Sequence, residues 1–273
     1  LRAAGAAARH SSSTGSYPCA VILDRRDFLV RASTGALAAR TVGMLPIGCW
    51  RRAEIRAIAF DAFPILDPRP IQALAEELAP GRGADLVAAW RTRQFEYCWL
   101  RTLADRYADF EQVTADALEF AADAVQVRLA AAQRSRLVRA HSELKAWPDA
   151  LPALRALRAA GIRMAFLSNF TARMLDACVA SAGLGGFFGP HLTTDRVRAF
   201  KPDPRAYAMA PAAFGLPREQ VAYVAFAGWD AAGAKWAGLP TMRVDRLGAP
   251  PERLGAAADH ELRGLDELPG LLG

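Results

Sequence analysis

The sequence predicts an α/β protein: a parallel sheet covered by helices, with a separate helical cap inserted directly after the first strand. Three observations carry this. An apolar run, Ile55 to Phe60, ends on an acid, Asp61. Residues 70–142 then read as helix with no strand signal. Beyond Trp147-Pro148-Asp149, short apolar runs alternate with helical stretches, the pattern of a parallel sheet with helices on both faces.

The first run is apolar on both faces, as a buried parallel strand is, and delivers its last side chain to the sheet edge. Pro64, Pro68 and Pro70 mark a turn after it. Helical periodicity covers 71–78, 84–107, 114–129 and 132–144, with Thr114 the expected N-cap of the third stretch. Strands are then expected at 163–167, 191–193, 221–226 and 240–244, and helices at 171–182, 204–214 and 230–237. The architecture is therefore a Rossmann-like core, 53–68 with 145–273, and a cap, 69–144.

Of the 273 residues, 52% are apolar, 23% charged and 9% aromatic, a globular composition. The net charge of +6 is localised. Residues 1–56 hold nine arginines against Asp24, Asp27 and Glu54, while 57–273 hold 25 groups of each sign. The body has no electrostatic case for nucleic acid. The four cysteines and four histidines are scattered without metal-ligand spacing. Cys98 and Cys178 fall in helical patterns and read as buried thiols. No run is long and apolar enough to span a membrane.

The basic segment carries Leu23-Asp24-Arg25-Arg26-Asp27-Phe28-Leu29-Val30, which resembles a twin-arginine export signal, followed by a weakly apolar stretch from Ala32 to Gly48. Residues 1–52 are thus expected to be a leader and the body periplasmic. A misassigned start, the first methionine being Met44, would leave the protein cytoplasmic.

In an open α/β sheet, ligands bind at the carboxyl ends of the strands. The polar residues there are Asp61, Ser168-Asn169, Lys201 and Asp230. Acid, hydroxyl, lysine and acid in this order, on successive strand–helix junctions, resemble the four motifs of the haloacid dehalogenase superfamily. Three segments look like its type II 2-haloacid dehalogenases: Trp90-Arg91-Thr92-Arg93-Gln94-Phe95-Glu96-Tyr97-Cys98-Trp99-Leu100-Arg101, Lys201-Pro202-Asp203-Pro204-Arg205-Ala206-Tyr207 and Gly228-Trp229-Asp230-Ala231-Ala232-Gly233-Ala234. The likeness runs from residue 55 to about 247.

The resemblance implies hydrolysis of a short 2-haloalkanoic acid to the 2-hydroxyacid without a cofactor or metal. Asp61 would be the nucleophile, forming an ester. Lys201 would keep its carboxylate ionised, and Asp230 would activate the water that splits the ester. Ser168 would hold the substrate carboxylate. Arg91, Asn169 and Trp229 would cradle the halide, with Tyr207 as a support. Phe63 stands where phosphatases of the superfamily carry a second acid, and reads as a pocket wall. Family members commonly pair through the cap, so a homodimer is expected by analogy.

Three polar partners of the family's site are absent, at Ile65, Ala225 and Ala227. The family's first motif usually runs Asp-x-Tyr-Gly-Thr-Leu; here it is Asp61-Ala62-Phe63-Pro64-Ile65-Leu66. Ala225 and Ala227 replace a serine and an asparagine ahead of Trp229-Asp230. Two other readings therefore stay open: a dehalogenase-like protein with weak or different activity or a small-acid-binding role, and a Mg²⁺-dependent phosphatase.

Overall fold

The computed structural model describes residues 55–272. The leader stretch, with Arg25-Arg26 and the export reading attached to it, lies outside the described residues. Six strands form one parallel sheet: β1 (Ala57–Phe60), β4 (Arg163–Ser168), β5 (Leu192–Thr193), β6 (Val221–Ala225), β7 (Thr241–Val244) and β8 (His260–Leu262), in the order β5-β4-β1-β6-β7-β8. β1 is central, with β4 on one side and β6 on the other. The chain order reverses there, so the crevice at a topological switch point opens beside Asp61.

Period-two alternation splits the strand side chains between two apolar faces. Ile58, Phe60, Phe166 and Val224 join one cluster, and Ala57, Ala59, Ala165, Leu167, Tyr223 and Ala225 the other. The first cluster continues through Leu86, Trp90, Val113 and Leu118 of the helical segment, so sheet face and helices share one core.

Four helices lie between β2 (Leu66–Asp67) and β3 (Lys145–Ala146): α1 (Arg69–Leu78), α2 (Gly83–Leu103), α3 (Phe110–Ala124) and α4 (Ala131–Ala140). β2 and β3 pair antiparallel, Leu66 with Ala146 and Asp67 with Lys145, and close the segment at its neck. Such two-residue strands carry no periodicity to read. The N-cap of α3 is Asp109, whose carboxylate accepts from the Gln112 N–H at 2.9 Å. Thr114 is buried inside the helix, donating to the Phe110 carbonyl and accepting from Gln94. The expectation that Thr114 starts the helix fails because its hydroxyl is spent on tertiary packing.

After β3 come α5 (Ala150–Ala159), α6 (Ala172–Ala182), α7 (Pro204–Phe214), α8 (Gly228–Trp236) and α9 (Leu268–Leu272). α5 and β8 add to the alternation read from sequence. The long helix α2 is tied to the loop before α7: Thr102 Oγ1 accepts from the Phe200 N–H at 3.0 Å, and Trp99 Nε1 donates to the Lys201 carbonyl at 3.2 Å.

Candidate active site

Asp61 follows β1 directly, and its own N–H donates to Val224 of β6 at 2.9 Å, which fixes the turn in register with the sheet. Only 9% of the residue is exposed. The turn behind it closes on one carbonyl, that of Ala62, which accepts from both Ile65 and Leu66. Pro64 therefore forfeits no hydrogen bond for want of an N–H, and its carbonyl accepts from Arg246 at 2.8 Å. Trp147 Nε1 donates to the Phe63 carbonyl at 3.0 Å, so this tryptophan backs the loop that follows Asp61. Ile65 is fully buried in the core.

Lys201 reaches the same point from the loop before α7. Its ammonium lies 2.8 Å from Asp61 Oδ1, 2.8 Å from Asp230 Oδ2 and 2.7 Å from the Tyr223 hydroxyl. Three N–H donors are all an ammonium has, and each meets an oxygen. Asp230 sits in the first turn of α8, where the helix dipole favours a carboxylate. The Tyr223 hydroxyl donates to its Oδ2 and the Tyr207 hydroxyl to its Oδ1, both at 2.7 Å. Tyr207 gets that close because residue 233 is glycine: a Cβ there would lie 2.4 Å from its hydroxyl oxygen.

Burial pulls the Lys201 ammonium downward, but the Asp230 and Asp61 carboxylates outweigh it and hold it above the ordinary lysine range. Burial pushes the Asp230 carboxyl above its ordinary value, opposed by Lys201 and reinforced by the nearby Asp61 charge. Tyr207 and Tyr223 are driven well above the usual phenol range by burial and then by Asp230, so both stay protonated donors.

Ser168 ends β4, and its hydroxyl oxygen accepts from the Phe170 N–H at 3.1 Å. Its hydrogen has no acceptor among the described residues. Asn169 turns its Oδ1 to the Lys201 N–H at 3.1 Å, leaving its amide NH₂ for a ligand. Thr171, not either of these, caps α6, accepting from Met174 at 3.2 Å. Both residues are thus free of the capping duty their position suggests.

The facing wall comes from α2 and from aromatic rings. The Arg91 guanidinium lies 5.3 Å from the Phe63 ring centre and 5.4 Å from that of Phe95. It has no hydrogen-bond acceptor among the described residues. Desolvation lowers its pKa, and the Asp61 charge opposes this. Trp229 closes the rim, its ring centroid 5.1 Å from that of Phe95 and 5.7 Å from that of Trp99. Phe63 packs edge-on against Phe170. Asp61, Lys201, Asp230, Ser168, Asn169, Phe63, Trp229 and Arg91 all line one narrow cleft. Among the described residues no group of three His, Cys, Asp or Glu side chains converges on a metal position.

Of the residues singled out in sequence, Tyr207 alone stands behind the cleft rather than in its wall, acting on Asp230. The ones missed are Tyr223 and the lining rings of Phe95, Phe110, Phe170 and Phe226. Tyr223 had a signal: a tyrosine in an otherwise apolar buried strand needs a partner for its hydroxyl. Ala227, at the N-cap of α8 and in the cleft lining, offers no capping side chain.

Residues 30–238 match the haloacid dehalogenase-like hydrolase family. The chain is 39% identical over 212 residues to the (S)-2-haloacid dehalogenase of Pseudomonas sp. (strain YL), covering 77% of this chain and 91% of that protein. A crystal structure of an L-2-haloacid dehalogenase, 40% identical, superposes with a TM-score of 0.78 over 81% of this chain and 99% of its own. The L-2-haloacid dehalogenase of Xanthobacter autotrophicus with chloropropionic acid covalently bound is 33% identical, with a TM-score of 0.72 over 80% of this chain and 98% of its own.

Proposed function

The chain belongs to the haloacid dehalogenase-like hydrolases, and from that premise we propose that it converts a short 2-haloalkanoic acid to the 2-hydroxyacid through an ester on Asp61. The observation that carries the reading is the Lys201 ammonium held 2.8 Å from both Asp61 and Asp230, opposite an arginine with no acceptor among the described residues. Phe63 supports it against phosphoryl transfer, since an apolar ring occupies the place of a general acid.

Asp61 Oδ1 is committed to Lys201, while among the described residues Oδ2 receives only a long 3.4 Å contact from the Phe63 N–H. Oδ2 is therefore the attacking oxygen. Its lone pair forms the bond to C2 as the carbon–halogen bond breaks, and the halide leaves with the electron pair towards Arg91, the Asn169 amide and the Trp229 ring edge. Ser168 holds the substrate carboxylate with its free hydroxyl hydrogen. Water then attacks the acyl carbon of the ester while Asp230 takes its proton. The acyl–oxygen bond breaks, the departing oxygen takes the proton back from Asp230, and the new carboxyl group releases its remaining proton to solvent, which restores the Asp61 carboxylate. One inversion at C2 turns an L-2-haloacid into a D-2-hydroxyacid.

The test is chloride release from L-2-chloropropionate by the full chain in EDTA, beside Asp61→Asn. Release that falls roughly 10⁴-fold in the variant supports the reading. No release from the folded wild type sinks it for this substrate and leaves small-acid binding, read by tryptophan fluorescence with 2-hydroxyacids. We also take residues 69–144 as a cap, two copies as paired through it at the exposed Leu100 and Leu103, and the periplasm as the location. Sedimentation and a reporter fused behind residues 1–52, with and without Arg25→Lys and Arg26→Lys, test the last two.

A further inference from the structure

We propose that Tyr223 is a positioning residue for this hydrolysis, replacing from the interior of β6 a hydroxyl that Ala225 lacks on the same strand face. The inference rests on the dehalogenation reading. Tyr223 and Ala225 are two residues apart and share one sheet face with Tyr207 and Ala231. The tyrosine side chain runs to the strand's carboxyl end, where its hydroxyl is 2.7 Å from Lys201 Nζ and 2.7 Å from Asp230 Oδ2. It accepts from the ammonium and donates its single hydrogen to the carboxylate.

That arrangement fixes two groups at once. Without the hydroxyl, one N–H of the buried Lys201 would have no acceptor, and a buried donor left unpaired is unstable where it stands. The ammonium would then swing or tilt, taking Asp61 Oδ1 with it. Asp230 would lose one of its two tyrosine donors and keep only Tyr207 on Oδ1. The two rings meet edge to face at 5.5 Å, which fixes both hydroxyls relative to each other. Tyr223 touches no reacting atom, so its action is through Lys201 and Asp230.

The experiment compares wild type, Tyr223→Phe, Ala225→Ser and the double variant in halide release, and records the Nζ resonances of ¹⁵N-lysine-labelled protein. The chain has only three lysines, Lys145, Lys201 and Lys235, so the Lys201 signal is read against two internal folding controls. Tyr223→Phe should lower kcat roughly 10- to 100-fold with KM little changed. The acid limb of its kcat profile should move to higher pH, because a lost donor disfavours the Asp230 carboxylate. Its Lys201 resonance should shift and exchange faster, with the other two unmoved. Ala225→Ser in that background should recover most of the rate. A folded Tyr223→Phe with wild-type kcat and an unshifted Lys201 signal overturns the proposal. So does a double variant no faster than Tyr223→Phe. Should the wild type release no halide, the dehalogenation reading fails, and the Lys201 resonance alone decides whether Tyr223 holds the ammonium.

Discussion

On the sheet side of the cleft, the charged and hydroxyl groups of Asp61, Lys201, Tyr223, Tyr207 and Asp230 are hydrogen-bonded to one another. On the helical side, Arg91 lies against the faces of Phe63 and Phe95 without an acceptor among the described residues. The five-residue network of the sheet side is formed before a ligand arrives, so it spends little on reorganisation when charge moves. The helical wall holds a half-buried cation awaiting an anion, set against aromatic rings. A reaction that moves negative charge from a carboxylate to a departing halide needs one wall of each kind.

Changes confined to one wall should separate the two. Arg91→Gln removes the charge and shortens the side chain. It should cut halide release roughly 10²- to 10³-fold while leaving the Lys201 resonance where it is; a rate within a few fold of wild type would deny the helical wall its part. The pH profile reads the sheet wall. As the proposed base, Asp230 must be ionised, and its raised pKa brings the acid limb nearer neutrality than an ordinary aspartate would. Lys201 is held above the ordinary lysine range, so no alkaline limb from it should appear near neutral pH. A limb at the pH of an unperturbed aspartate would contradict the Asp230 assignment.

His141 lies behind the helical wall, against Trp90 at 5.0 Å and Phe170 at 6.3 Å. Burial, then the Arg91 charge, lower its pKa from 6.5 to about 4. The folded state therefore binds the proton less well than the unfolded one. This contribution is full above pH 6.5 and shrinks as pH falls towards 4, a loss of about 3 kcal/mol. Denaturant titrations across that range should show the decline, and His141→Gln should flatten it. A slope unchanged in the variant would assign the acid sensitivity elsewhere.

The sheet wall was largely legible in the sequence because strand–helix junctions are local. Asp61, Ser168-Asn169 and Asp230 each sit at the end of an apolar run, and Lys201 opens a proline-flanked turn. Tyr223 escaped because it sits inside such a run, and its partners lie 22 residues upstream and seven downstream. Periodicity reports which face a side chain takes, not what its far end meets. The helical wall was legible only in part. Arg91 came with a motif, but Phe95 joins it through the packing of α2 on the core, and Phe226 enters the cleft from the loop after β6. β2 and β3 were invisible for another reason: a two-residue ribbon is set by its partner across the helical segment, not by its own composition.

The central claim is that a carboxylate oxygen of Asp61, not water, displaces the halide. A single turnover in H₂¹⁸O with enzyme in excess over L-2-chloropropionate tests it directly. Water attacking the acyl carbon leaves its oxygen on Asp61, so the label should appear in the peptide containing residue 61 and the first-turnover 2-hydroxypropionate should carry none. Label in that product, with Asp61 unlabelled, would mean direct displacement by water and would contradict the account.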